Sequence, residues 1–366
     1  MGRYARDRRR RQSKLHHHFP HLSPARMTTH RRSPRRLQAR SRIHGLSLVE
    51  LMISMVIGMV VVASASAIFI SNRQTYRATE SMARVQEGGR VSFEMMSRDI
   101  RQAAGNPCAQ DLPAANVLNN AAANWWSNWN NAVIGYEDND GTFPFAGGVG
   151  GRVNGTDAIE LKSADNISGV TVVSHNAPSA EFKVNTVNHP LSPGDIIMVC
   201  DFLQSTVLQV TNASPGINDN IVHNNGAGAP GNCSKGLGFP TNCGSAVGTP
   251  HTYGPGSTIV KVQASRWYIG NNANGGRSLF RTVLTNAGGN AATRNEEIVS
   301  GVNDMDLQYL VRNTGDYVDA GAVANWGNVV AVRVMLTMAG TDRIGTDGNV
   351  LQRNLAHTVT MRNRMQ

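Results

Sequence analysis

The chain has 366 residues and a formal net charge of +10, and its 40% hydrophobic and 16% charged residues argue against global disorder. The positive charge is concentrated at one end. Residues 1–45 hold 14 Lys and Arg and one acid, whereas residues 46–366 carry a net charge of −3. A basic fold built to bind nucleic acid is therefore not expected. The one long apolar run lies near the N-terminus, which excludes a polytopic membrane protein.

The first 45 residues form a basic leader without apolar periodicity, so no fold is expected there. Three interpretations are open: a nucleic-acid-binding arm, a positive flank that fixes membrane orientation, or sequence that in part precedes a true start at Met27. The second and third are favoured together. A start at Met27 still leaves six arginines ahead of the apolar run, as the positive-inside rule requires.

The apolar run extends from Leu46 to Ile70 and carries a single charge, Glu50. As a helix it would be about 37 Å long, enough to cross a bilayer core. A secretory signal peptide is one alternative, because Ala63-Ser64-Ala65 resembles a small-residue cleavage motif, and a plain signal anchor is another. The run is too long for a signal peptide, and an acid within it is costly unless it has a partner or a function.

The junction ahead of this run reads His44-Gly45-Leu46-Ser47-Leu48-Val49-Glu50. It resembles the class III signal of type IV prepilins and pseudopilins, in which a dedicated peptidase cuts after the glycine and methylates the new N-terminal residue. By this resemblance Gly45 and Leu46 form the cleavage and methylation site, and Glu50 is the acid five residues into the mature chain. Leu46 departs from the usual phenylalanine, at a position that tolerates other apolar residues.

Elementary electrostatics agrees with a docking role for Glu50. Cleavage would leave a cationic amine on Leu46 among apolar helices, and the Glu50 carboxylate of a neighbouring subunit can neutralise that amine. The simpler alternative is that Glu50 only lies near the membrane interface and reaches toward water. We favour the pairing role.

The helix is expected to continue past the membrane as an amphipathic segment over residues 71–104. Gly88-Gly89 predicts a kink or partial melt in its middle, and Gly105-Asn106-Pro107 predicts its end. A helix over 46–104 is about 88 Å long, which is too long for a compact domain. A patchy apolar stripe at helical spacing is formed by Met82, Val85, Val91, Met95, Met96 and Ile100.

From residue 105 to residue 366 the composition shifts to Asn, Gly, Ala, Thr and Val, with short β runs and long loops, notably 211–256. The sequence therefore predicts an α+β fold, in which a long N-terminal hydrophobic helix packs on a mostly antiparallel β-sheet head. Strands are predicted at Ala158–Lys162, Val170–Ser174, Asp195–Cys200, Thr206–Val210, Thr258–Val262, Arg266–Ile269, Ser278–Val283, Met305–Val311, Val329–Met338 and near His357–Arg362.

Several short sequence segments resemble the PilW family of minor pilins more closely than pilins in general. The resemblance covers about 45–366 and is weaker through 110–155 and 211–256. The resemblance implies a pilin-like fold and a structural subunit that is neither an enzyme nor a cofactor-binding protein. The segments that carry the resemblance are Arg98–Gly105, Gly194–Asp201, Ile298–Met305, Trp326 with Val330–Val334, and Thr358–Arg364.

The same resemblance implies a minor pilin that helps to prime type IV pilus assembly as part of a tip complex. Its partners would be other minor pilins, the major pilin, the prepilin peptidase and the pilus assembly platform, with no nucleic acid. It would reside in the bacterial inner membrane, head in the periplasm, and in the assembled pilus. A type II secretion pseudopilin is the alternative, and a membrane-anchored periplasmic enzyme or adhesin is a third hypothesis.

Four cysteines, Cys108, Cys200, Cys233 and Cys243, follow the apolar run and so would face the periplasm, where disulfides persist. No Cys-x-x-Cys pair occurs, which argues against zinc or a thioredoxin-type site. Four cysteines allow three pairings. We expect Cys233–Cys243, which closes a short loop, and Cys108–Cys200, which ties the end of the helix to the sheet. Free thiols are the alternative.

The sequence shows no catalytic or metal-binding constellation. Trp125, Trp126 and Trp129 form an aromatic cluster that is either an adhesive or subunit-contact surface, or packs its loop onto the sheet. Stacking on single-stranded DNA is disfavoured by the near-neutral body. The histidines of the head are expected singly and at the surface: His175, His189, His223, His251 and His357.

Overall fold

A computed structural model describes residues 45, 47–109, 112–340, 343 and 349–364. Leader residues 1–44 and Leu46 lie outside the described residues.

The chain divides into two units, Met1–Ala63 and Ser64–Gln366. One α-helix, α1, spans Leu48–Gln102. The strands that follow in the described residues are β1 Ala114–Asn116, β2 Val133–Tyr136, β3 Ala158–Asn176, β4 Glu181–Val184, β5 Ile196–Cys200, β6 Ser205–Gln209, β7 Asn212–Ala213, β8 Asn220–Val222, β9 Thr258–Asn271, β10 Arg277–Ala287, β11 Asn290–Ser300, β12 Val302–Val311, β13 Tyr317–Val318, β14 Val329–Ala339 and β15 Gln352–Thr360.

Within the first unit the described residues of α1 are all exposed. By length and composition α1 is able to cross a membrane, and none of the residues in its most apolar stretch is buried by the described chain. A helix that is hydrophobic on every side needs an apolar environment from outside the chain.

Two mostly antiparallel sheets form the head in the second unit. The larger sheet runs β1-β6-β5-β9-β3-β4-β8-β7, with β2, β10 and β11 attached beside this path. Its centre is β9, which pairs with β3 along one edge and with β5 and then β10 along the other. The β1–β6 ladder is parallel. The smaller sheet runs β13-β12-β14-β15.

The head half of α1 packs against both sheets through a narrow stripe. Met96 and Ile100 are fully buried and share a core with Trp267 of the larger sheet and Val334 of the smaller. The sequence predicted the large apolar members of the stripe but missed its small ones, because serine and glycine have no apolar signal. The buried residues of α1 are Ser81, Val85, Gly89, Ser92, Met96, Ser97 and Ile100.

The partial melt predicted as one alternative at Gly88-Gly89 is wrong, because α1 runs unbroken through both residues. The glycines instead allow close packing. A Cβ at Gly89 would overlap Leu355 Cδ1 of β15, and a Cβ at Gly88 would lie 2.8 Å from Val299 Cγ1 of β11. Residues without a side chain let the sheets approach the helix this closely, which compensates for their weak helix propensity.

The predicted strands lie in the head, with two differences. Ala158–Lys162 and Val170–Ser174 belong to one strand, β3, and Thr258–Val262 and Arg266–Ile269 belong to one strand, β9. The expected loop 211–256 contains the short strands β7 and β8. The largest strand that was missed, β11, is polar and mostly exposed, so it shows no apolar alternation.

Candidate subunit-docking and anchoring sites

The candidate processing site lies just ahead of α1. Gly45 and Ser47 are exposed and outside regular secondary structure, and the helix begins at Leu48. The Val49 backbone N–H donates to Ser47 Oγ at 3.3 Å, which satisfies one of the free amides of the first turn. The glycine on the amino side of the expected cut is therefore exposed next to a helix start.

Glu50 lies in the first turn of α1, where a carboxylate interacts favourably with the positive end of the helix dipole. It is exposed, and in the part of the chain that the structure describes its carboxylate has no hydrogen bond or ion pair. The neighbouring helix positions carry exposed large apolar side chains: Leu48, Val49, Leu51, Met52 and Ile53. This arrangement offers an acceptor to a cation from outside the helix.

A second carboxylate of α1, Asp99, has its partners within the head. Its Oδ2 accepts hydrogen bonds from Ser265 Oγ at 3.0 Å and from Trp267 Nε1 at 2.9 Å. The Arg281 guanidinium lies 3.0 Å from the same oxygen, and the Asp99 side chain is 13% exposed. Asp99 therefore anchors the end of α1 to β9 and β10. Sequence reasoning missed this role, although Asp99 stands three residues after buried Met96 and so shares its helix face.

Both expected disulfides are present. Cys108–Cys200 joins the segment after α1 to the end of β5, and Cys233–Cys243 closes a loop within 211–256. The described residues contain no free cysteine. The first bridge restrains a chain segment of 92 residues and the second a segment of 10, so the first removes more entropy from the unfolded chain.

The tryptophan cluster packs onto the larger sheet. Trp126 is buried, and Trp125 and Trp129 are partly buried against the core on that face of the sheet. The Arg266 guanidinium lies 4.3 Å from the centre of the Trp125 ring and also pairs with buried Glu160 at 2.9 Å. Of the two interpretations, a contact surface or packing of the loop onto the sheet, packing accounts for the position of these rings.

The same buried network contains Lys162, whose Nζ pairs with Glu160 and donates to the Asn131 carbonyl at 3.0 Å. Burial lowers the pKa of Lys162, and Glu160 opposes that shift. Tyr136 donates from its hydroxyl to Glu160 at 2.9 Å, and burial raises the pKa of Tyr136. The network satisfies charges that would otherwise be costly in the core.

Three histidines, His175, His189 and His223, contradict the expectation of single surface positions. His189 and His223 are buried, and His223 Nε2 lies 3.2 Å from His175 Nε2. Burial lowers the pKa of His175 to about 4 and that of His223 to about 3. The strand order β3-β4-β8 brings these residues together across 48 positions of sequence. Among the described residues no group of three His, Cys, Asp or Glu side chains could hold a metal ion.

Two family models match the chain. Residues 40–66 match the prokaryotic N-terminal methylation motif, which includes the junction from Gly45 to Glu50. Residues 266–363 match PilW, the type IV pilus-assembly protein W, over the strands from the second half of β9 to β15. No curated protein and no solved structure matches the chain.

A long apolar N-terminal helix with a methylation motif at its start, followed by a mostly antiparallel β-sheet head, defines a pilin-like protein of the α+β class. The match within the head narrows that class: the two family-model matches together are those of a PilW-family, type IV pilin-like protein. The motif and the apolar helix indicate membrane anchoring in a pilus system. These matches to a pilus-assembly context imply prepilin processing and interaction with other pilus components.

Proposed function

We propose that this protein is a non-enzymatic minor pilin that helps to prime type IV pilus assembly within a tip complex of minor pilins. Residues 1–45 are the leader that prepilin peptidase removes after Gly45, and the peptidase then methylates Leu46. Residues 46–70 hold the subunit in the bacterial inner membrane and later enter the filament core. Residues 71–104 continue the helix, and residues 105–366 form the periplasmic head.

The observation that carries this proposal is Glu50, a carboxylate without a described partner in the first turn of an uncovered apolar helix. An acid in apolar surroundings is costly, and a cation that neutralises it recovers much of that cost. The new Leu46 amine of a neighbouring subunit is such a cation. Docking of one apolar helix beside another would then bury both the side chains and the paired charges.

The first test is the intact mass and N-terminal sequence of the protein from membranes, with and without the prepilin peptidase. A mature chain that begins at methylated Leu46 only when the peptidase is present is the expected result. A retained leader, or cleavage near Ala65, would contradict the proposal and leave an ordinary anchored or exported protein.

Deletion of the gene separates a pilus from a secretion role. The proposal expects loss of surface pili with export of secreted proteins intact. Loss of export with pili intact would instead identify a type II secretion pseudopilin.

A further inference from the structure

A groove runs along the last turns of α1 in the head. Its wider part has a volume of about 830 Å³, and its narrower part has a volume of about 420 Å³. The two parts share Arg98, Gln102 and Gln263 in their walls, so they are contiguous. The wider part extends to Arg362 near the end of the described chain.

The wider part is positively charged. The wider part is lined by Arg98, Arg101 and Arg362, and all three are exposed. Their guanidinium groups have no ion pair or hydrogen bond with any residue that the structure describes. Glu94 is the acid among its lining residues. Since residues 46–366 carry a net charge of −3, this group of arginines is a local excess of positive charge on a slightly acidic body.

The narrower part contrasts with the wider one, because its own arginines are paired. Arg281 lies 3.0 Å from Asp99, and Arg294 pairs with Glu296. The two arginines of the narrower part therefore form ion pairs with acids of the same chain. Arg98, Arg101 and Arg362 of the wider part form none with the described residues, although Glu94 lies in the same wall.

The arginines are not needed to neutralise the end of the helix. The last carbonyls of a helix usually attract cations. Here Asn363 Nδ2 donates to the Gln102 carbonyl at 3.1 Å and to the Ala103 carbonyl at 3.3 Å. A neutral amide thus satisfies these acceptors, and the positive charge of the groove remains available to another partner.

The groove walls also include apolar side chains, notably Met95, Leu161, Val283 and Leu284. A small inorganic anion would use only the guanidinium groups, whereas a polypeptide with both acidic and apolar side chains would use the whole groove. Resting on the proposed function, we infer that this groove receives an acidic segment of another pilus subunit. The carboxylates of that segment pair with Arg98, Arg101 and Arg362, and its apolar side chains lie against the walls.

The test uses the full-length protein in detergent micelles and a fluorescent peptide of alternating glutamate and leucine. Its probe control is the same peptide with glutamine in place of glutamate. The variant Arg98→Gln/Arg101→Gln removes two groove charges. The matched control Arg73→Gln/Arg77→Gln removes two exposed charges from α1 outside the groove. Arg362→Gln tests the far end of the groove alone.

Fluorescence anisotropy should show binding of the glutamate peptide that weakens about tenfold or more in Arg98→Gln/Arg101→Gln and by a smaller factor in Arg362→Gln. The control variant should bind like the unmodified protein, and the glutamine peptide should bind weakly to all. Equal losses in both double variants would overturn the inference, because they would show unspecific attraction. Displacement of the peptide by equimolar inorganic phosphate would overturn it as well, because it would show a simple anion site.

N-terminal sequencing of the same preparations separates this inference from the proposed function. If Leu46 is processed normally but the double variants bind the peptide equally, only the groove inference fails. If the leader is retained in the presence of the peptidase, the proposed function fails, whatever the peptide shows.

Discussion

Helix α1 carries a carboxylate in its first turn and another in its last turns, and their surroundings differ. Asp99 accepts hydrogen bonds from Ser265 and Trp267 and pairs with Arg281, all within the head. The Glu50 carboxylate has no partner in the described chain. An acid with its partners in its own chain stabilises the fold, whereas an acid left without one among exposed apolar side chains is available to another molecule.

The glycines of the same helix show the same difference. A Cβ added at Gly58 would meet no atom within 4 Å, whereas one at Gly89 would overlap Leu355. Gly58 is thus open to its surroundings, whereas Gly89 is closely packed against the sheets. Three experiments test this contrast, and a fourth tests the buried titratable groups of the head.

Asp99→Ala should have the largest effect on stability. It leaves the Trp267 N–H, the Ser265 hydroxyl and the Arg281 guanidinium without their acceptor, so the free energy of unfolding should fall by about 3 kcal/mol. Denaturant unfolding of the protein in detergent, followed by tryptophan fluorescence, measures this. The control Glu80→Ala breaks an exposed pair with Arg84 and should cost less than about 1 kcal/mol. Equal losses of unfolding free energy in Asp99→Ala and Glu80→Ala would refute the anchoring role of Asp99.

Gly89→Leu should destabilise the head by about 1–3 kcal/mol, because the new side chain overfills the contact with Leu355 and Met338. Gly58→Leu should leave the unfolding of the head unchanged. Adding Leu355→Ala to Gly89→Leu should restore part of the loss. If Gly89→Leu is neutral in the same unfolding measurement, close packing does not explain the glycine pair.

Glu50→Gln should leave the stability of the head and the cleavage at Gly45 unchanged but reduce incorporation into pili. The loss should be about tenfold or more, equivalent to about 1.4 kcal/mol or more of docking free energy. Immunoblots of sheared pili against the membrane fraction measure incorporation. Normal incorporation of the variant would show that the amine and the carboxylate do not pair.

The smallest effect concerns pH. The folded pKa values of His175 and His223, about 4 and 3, lie below the ordinary value of 6.5, so the unfolded chain binds protons first as pH falls. Their contribution to stability is complete above pH 6.5 and is lost as pH falls from 6.5 toward 4. Asp157 acts oppositely: burial raises its pKa to about 7, so its contribution is lost as pH rises from 3.8 to 7.

His223→Gln should therefore flatten the fall of unfolding free energy between pH 6.5 and 4 relative to the unmodified protein. Asp157→Asn should steepen it. Unfolding curves at a series of pH values in this range measure both slopes. Unchanged slopes in both variants would show that burial shifts neither the pKa of His223 nor the pKa of Asp157 in the folded protein.

The sequence was sufficient for features that depend on neighbouring residues. The junction from Gly45 to Glu50, the apolar run and the α+β organisation are all local patterns of residue type and spacing. The cysteine pairing was also predicted: Cys233–Cys243 as the bridge that closes a short loop, and Cys108–Cys200 as the bridge that ties the end of the helix to the sheet.

Other features were decided only by the tertiary structure, because they join residues that are far apart in the chain. The partners of Asp99 come from β9 and β10, more than 160 positions away. The contact between His175 and His223 depends on the order of β3, β4 and β8. Gly88 and Gly89 locally weaken a helix, but the side chains of β11, β14 and β15 that pack against them leave no room for a larger residue without a shift. Helical spacing and apolar runs can be recognised in the sequence because they are local patterns. Which distant side chain a residue contacts depends on how the sheets and the helix pack.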